Sequence, residues 1–239
     1  FQVAQPGYIS GLLLALFVIF KVAEPEVVFF SWTGTTMYLI IGAYLIAAAV
    51  KGSGLGERIA YWFIVRFMHS YQSVIISIFC MTFVLSIMIP HPWPRAFLIM
   101  SVMAEVIENA KISKEDAIPI GFAVFAASVP ISTIFLTGDS TINPLAVQYA
   151  GVELGWFGWL KVMGPPCAVA AVLTCAAIIL LFRPSRPIVI DKEAAKGKLA
   201  DMGTLKDKEI RTIIWLSIAV LLWVTDSLHG VNIGWVTLT

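Results

Sequence analysis

The chain has 239 residues, of which 59% are hydrophobic and 13% charged, with a net charge of +1 and a mean hydropathy of +0.88. Soluble domains carry about 25% charged residues, so this composition argues against a soluble core. It also argues against nucleic acid as a partner, which needs a clustered basic face.

The first apolar run, Tyr8 to Ala23, is followed by the turn 24–34, which has no Lys or Arg, and by a second run from Thr35 to Val50. Both approach the roughly 17–25 residues that span a bilayer. Next come Lys51–Arg58 and the short stretch Ile59 to Phe67, where Arg66 is mixed with Tyr61, Trp62 and Phe63. This reads as a helix lying in the membrane interface.

Val74 to Ile89 is apolar over 16 residues and is interrupted by Pro90-His-Pro-Trp-Pro-Arg95 before a second apolar arm, Ala96 to Ala104. Prolines lack an N–H and clash with the preceding turn, so one helix cannot run through. The reading is a re-entrant hairpin over 71–108; the alternative is a single kinked span. Ala117 to Leu136 then runs into Thr137-Gly-Asp-Ser-Thr-Ile-Asn-Pro144. Here Asn143 reads as an N-cap and Pro144 as the first helical residue, giving a second, broken helix.

Val162 to Phe182 is a charge-free span. The stretch 183–211 holds eight Lys or Arg and five Asp or Glu. Ile213 to Thr225 is apolar again, and 226–230 turns into a last segment. The basic residues of 51–66, 111–114 and 183–211 can share one face, which positive-inside bias makes cytoplasmic. That arrangement requires 71–108 to enter and leave on the same side. The organisation expected is scaffold helices over 1–69, hairpin and broken helix over 70–155, a transmembrane helix over 156–182, a linker over 183–210 between two halves of a duplicated protein, and the start of a second repeat over 211–239.

The chain begins at Phe1 without a charged n-region and cleavage site, so no signal peptide is expected. It ends at Thr239 inside an apolar segment, so the chain reads as a fragment with further membrane segments on both sides. The three cysteines, Cys80, Cys167 and Cys175, lie in apolar runs and show no disulfide or zinc spacing.

Non-helical backbone at membrane depth must be buried in protein or line a watery cavity. Two such breaks point to a transporter site, where half-helix N-termini face an anion and unwound carbonyls hold a cation. The candidate binding residues are His91, Trp93 and Arg95 at the tip, and Thr137, Gly138, Asp139, Ser140, Thr141 and Asn143 at the break. Arg95 reads as a contact for the anion or as neutralising Asp139, or else as snorkelling from a shallow hairpin. Asp139 reads as an ion ligand, as Arg95's partner or as a helix cap. His91 titrates near neutral pH or caps the tip. Asp139, Ser140 and Asn143 form an oxygen-rich candidate sodium site. No nucleophile-and-base pair, phosphate loop or zinc motif is present, so no enzyme is expected.

The order of elements resembles the divalent-anion/sodium symporter family of the ion-transporter superfamily. Ser31-Trp-Thr-Gly-Thr-Thr-Met-Tyr-Leu-Ile-Ile-Gly-Ala-Tyr44 is similar to the family's phenylalanine-serine-asparagine turn and the helix after it. Gly54-Leu-Gly-Glu-Arg-Ile-Ala60 is similar to its horizontal helix. Leu222-Trp-Val-Thr-Asp-Ser-Leu-His-Gly230 is similar to the start of its second half. At the tip the family has Ser-Asn-Thr where this chain has Pro90, His91 and Pro92, and at the break only Gly138 and Asn143 carry over. The resemblance implies an all-α membrane protein, one half of an inverted-repeat transporter. It implies a homodimer in the cell (inner) membrane, moving small anions such as dicarboxylate or sulfate by an elevator motion, with sodium as the one ion implied. A cation/proton antiporter or arsenite-type carrier of the same superfamily is the alternative; a non-transporting membrane subunit or membrane enzyme is the third reading.

Overall fold

The computed structural model describes residues 5–152 and 154–238; the expectations about Phe1 and Thr239 lie outside the described residues. All regular structure among them is helical. The first part of the chain forms α1 (Pro6–Ile19), α2 (Pro25–Val28), α3 (Phe30–Thr33), α4 (Thr35–Ser53) and α5 (Leu55–Phe67). The middle forms α6 (Tyr71–Met88), α7 (Pro92–Asn109), α8 (Lys114–Ser132), a 3-10 turn (Leu136–Asp139) and α9 (Ile142–Ala150). The rest forms α10 (Trp156–Leu181), α11 (Glu193–Met202), α12 (Asp207–Val224), α13 (Asp226–His229) and α14 (Ile233–Leu238). Four of these, α4, α6, α8 and α10, are long and apolar enough to cross a membrane.

The helices differ from the sequence expectations for identifiable reasons. The 24–34 turn folds into two single-turn helices. The two hairpin arms are longer than the apolar runs, at 18 residues each. Ser70 and Ser73 form a reciprocal cap that starts α6 three residues before Val74. Pro92 and Pro94 fall in the first turn of α7, where a missing N–H leaves no bond unmade. Each arm is therefore about 27 Å long at 1.5 Å per residue, close to the roughly 30 Å of a hydrocarbon core. Arm length does not distinguish a hairpin from a pair of spans.

Two packing groups are apparent. In one, α4 packs on α12 and α14; in the other, α6 packs on α7, α8 and α10, with α8 also against α7 and α10. Val74, Ile75, Ile78, Ile99, Met103 and Val124 fill the second group's interior. Between the groups lies α5, touching α4, α6, α7 and α11. Its Ala60, Tyr61 and Ile64 are buried while Trp62 and Phe67 are exposed. The outer face of α10, with Val169, Val172, Leu173 and Leu180, is exposed and apolar, as a lipid-facing surface would be.

One end of the bundle gathers the charges. Arg58 holds Glu209 through two bonds of 2.6 and 2.9 Å and donates to the carbonyls of Met202, Gly203 and Thr204. Lys198 pairs with Glu105 at 2.6 Å, and Ser185 donates to Asp116 at 2.9 Å. The linker is thus folded onto the bundle and contains its own helix, α11, where the sequence showed only polarity. Glu105 near the end of α7, Asp116 at the start of α8 and Glu209 at the start of α12 all lie at this end.

Candidate functional site

The hairpin tip is the three residues 89–91. Ile89 and Pro90 belong to neither helix, because α6 ends at Met88 and α7 begins at Pro92, so their carbonyls need partners from elsewhere. Arg95, one turn into α7, folds back over them. It is fully buried, and its Nη1 donates to Ile89 O at 3.1 Å and, weakly, to Gly138 O at 3.5 Å. A cation at the C-terminus of α6 is where the helix dipole favours it. Its Nε and Nη2 have no hydrogen-bond partner. His91 caps α7, its Nδ1 accepting from the Trp93 N–H at 3.3 Å, and its ring lies against Tyr44 of α4 with centroids 5.0 Å apart. His91 is thus a buried cap of the tip.

The break begins earlier than the sequence indicates. Helix α8 stops at Ser132, two residues after Pro130, and α-helix resumes only at Ile142. The carbonyls freed by this are satisfied one by one. Asn143 Nδ2 donates to both Ser132 O and Phe135 O at 2.9 Å. Trp159 Nε1 donates to Thr133 O at 3.0 Å. Asn143 is therefore not the N-cap expected of it; it lies inside the first turn of α9 and reaches back across the break. The capping is done by Asp139, whose Oδ1 accepts from the N–H groups of Thr141 and Ile142 at 3.0 and 3.1 Å. Gly138 fits because a Cβ there would stand 2.5 Å from Ser132 O.

Tip and break touch. The Ser140 N–H donates to Pro90 O at 3.1 Å, beside the Arg95 to Gly138 contact. Buried residues at this junction are His91, Arg95, Thr137, Asp139, Ser140 and Asn143. Among the described residues Arg95 forms no ion pair with Asp139, although each is buried. Ser140 Oγ is buried without a partner. Thr141 is half-buried and contributes its backbone. Trp93 stands apart: it is 57% exposed and its ring faces Phe97 and Phe125.

A cavity of about 460 Å³ lies next to the break, between α4, α9 and the α13–α14 turn. Among the described residues its one charged lining residue is Asp226, which repels rather than attracts an anion. Sequence reasoning missed Trp156 and Trp159. The signal was there in their spacing: two tryptophans one turn apart at the start of the next apolar helix carry ring N–H groups that need acceptors when buried.

The family model for the sodium:sulfate symporter transmembrane region matches residues 8–239. The chain is 26% identical over 229 residues to YflS of Bacillus subtilis, whose name suggests a malate transporter, covering 91% of this chain and 48% of that protein. It is 26% identical over 245 residues to the chloroplastic dicarboxylate transporter 1 of Spinacia oleracea, covering 96% of this chain and 43% of that protein. To the citrate/succinate antiporter of Escherichia coli it is 24% identical over 213 residues, covering 82% and 43%. The chain spans less than half the length of these relatives.

Proposed function

This chain belongs to the sodium:sulfate symporter transmembrane family, and from that premise we propose that the protein is a secondary active transporter of small anions whose site lies where the hairpin tip meets the break. It is a multi-pass integral membrane protein of a transporter family, not an enzyme.

The observation that carries the site is Arg95. A guanidinium out of water, with Asp139 nearby but no direct ion pair and two nitrogens without a partner among the described residues, is unfavourable unless a negative group completes it. Carbonyl oxygens supply part of that; an anion drawn to the same place supplies the rest, through the field of the charge and through direct contact once the junction opens. Dicarboxylate, citrate and sulfate all fit this chemistry.

Sodium symport is the coupling the family name carries, with Asp139, Ser140 and Asn143 as ligands. A second reading is sodium-free anion exchange, and the geometry favours it. The fixed cation of Arg95 already takes up the tip and break carbonyls of Ile89 and Gly138, the groups that would otherwise hold a metal ion. Asp139 Oδ1 is committed to two N–H groups, and Asn143 turns its donor nitrogen to two carbonyls of its own. The re-entrant hairpin, the homodimer and the elevator motion are part of the same proposal.

The test is uptake of succinate, citrate and sulfate by the full-length protein in proteoliposomes. Loading the lumen with unlabelled anion should accelerate uptake, with or without sodium. Uptake that requires an inward sodium gradient and ignores the internal anion returns the symport reading. Uptake of none of the three anions defeats the proposal.

A further inference from the structure

We propose that Trp156 is a positioning residue for transport, and that Asp226, at the start of α13, sets the geometry of the 133–141 break through it. Trp156 donates twice, in two directions. Its backbone N–H, the first of α10, donates to Asp226 Oδ2 at 2.7 Å. Its indole N–H donates to Thr137 Oγ1 at 3.0 Å, and its ring stacks on Phe135 with centroids 5.6 Å apart and planes 16° from parallel. One residue therefore connects the α12–α13 turn, which belongs with α4 and α14, to the break in the other packing group.

The joint is built, not incidental. A Cβ at position 155 would lie 2.8 and 2.9 Å from the two carboxylate oxygens of Asp226, so any other residue there displaces the carboxylate from its present seat on the end of α10. There it meets the free N–H groups and the positive dipole end of a 26-residue helix. Its second oxygen, Oδ1, is out of water and has no partner among the described residues. The carboxylate is held by one strong bond and has another acceptor unused, which makes the joint releasable. On the other side, Trp159 holds Thr133 O while Trp156 holds Thr137, so the first turn of α10 grips the break on both shoulders. Gly138 and Asp139 follow Thr137 directly. A shift of Asp226 that carries the first turn of α10 with it is passed to them through one rigid indole.

This inference rests on the transport reading above, and two readouts keep the fates of the two separate. Hydrogen exchange of the 133–143 amides in the purified full-length protein reads the linkage without any substrate. Succinate and citrate uptake in proteoliposomes, resolved into KM and Vmax, reads its use. Trp156→Phe keeps the stack and loses the donor; Thr137→Val loses the acceptor; Asp226→Ala and Gly155→Ala each remove the carboxylate from α10. Each should speed exchange over 133–143 by about tenfold, the worth of one buried hydrogen bond, and raise KM more than it lowers Vmax. The Trp156→Phe/Thr137→Val double variant should be no worse than either single, and Gly155→Ala should add nothing to Asp226→Ala. Asp226→Asn, which keeps an acceptor oxygen, should restore most of the effect. Unchanged exchange over 133–143 in Asp226→Ala, or additive effects of Trp156→Phe and Thr137→Val, overturns the proposal. A wild-type protein that takes up neither anion defeats the transport reading, and the exchange data then still decide the linkage.

Discussion

Replacing Asn143 with Asp separates two roles that predict opposite results. If the side chain is an oxygen ligand for sodium, a carboxylate strengthens the site. In the structure the side chain also acts as a donor, with Nδ2 bonded to Ser132 O and Phe135 O, each at 2.9 Å. Aspartate removes both donors and sets a negatively charged oxygen against two carbonyl oxygens. Phe135 O keeps the Gly138 N–H as a partner at 2.9 Å. The loss therefore falls mainly on Ser132 O, at about 1–3 kcal/mol for an unsatisfied buried carbonyl, plus about 1 kcal/mol for the second bond. Repulsion adds to this, so the distorted break gains on the order of 3 kcal/mol, or roughly a hundredfold in population. Asn143→Ala loses the donors without the charge and should be intermediate. Thermal melting of the purified full-length protein and anion uptake should both rank Asn above Ala above Asp. An Asn143→Asp variant that melts like wild type and takes up anion with sharper sodium dependence would refute the reasoning.

Arg95→Gln should abolish anion uptake, His91→Gln should leave it near normal, and Asp139→Asn should reduce it by loosening the start of α9; recovery of uptake in the Arg95→Gln/Asp139→Asn double variant would mean that the two charges merely cancel. Arg58 holds the Glu209 carboxyl below its usual range, chiefly through their hydrogen bond. A depressed acid stabilises the fold above its unfolded pKa of about 4.3 and loses that contribution as pH falls through the folded value. The melting temperature should therefore drop on acidification below about pH 4, and Glu209→Gln should flatten that drop while lowering the neutral-pH value; a melting curve with the same acid limb in both proteins would exclude Glu209 as its source. Cysteines placed at the exposed positions Gln72 and Asn109 should label from the same side of the membrane, and labelling from opposite sides would end the hairpin reading.

Much of this protein is legible in the sequence because lipid imposes one-dimensional rules. A bilayer requires long apolar segments with internally satisfied backbone, so composition and run length alone identify α4, α8 and α10 as candidate spans, while the 16-residue apolar run that makes up most of α6 reads only as a hairpin arm. Proline and glycine act locally, so the tip near Pro90 and the break near Gly138 could be placed to within a few residues. Charge bias along the chain likewise put the linker at the end where Arg58, Glu105 and Asp116 hold it. The sequence could not say which group satisfies which. Asn143 looks like a cap because caps are local, yet it donates backwards across 8 and 11 residues, and Asp139 caps instead. Arg95 and Asp139 look like a pair because both are charges in apolar surroundings, yet each finds backbone partners. Trp156 joins Asp226 and Thr137 over separations of 70 and 19 residues. Hydrogen bonds of that kind depend on distance and direction in space, and no periodicity records them; only the packing of α10 against α8 and the α12–α13 turn brings their ends together.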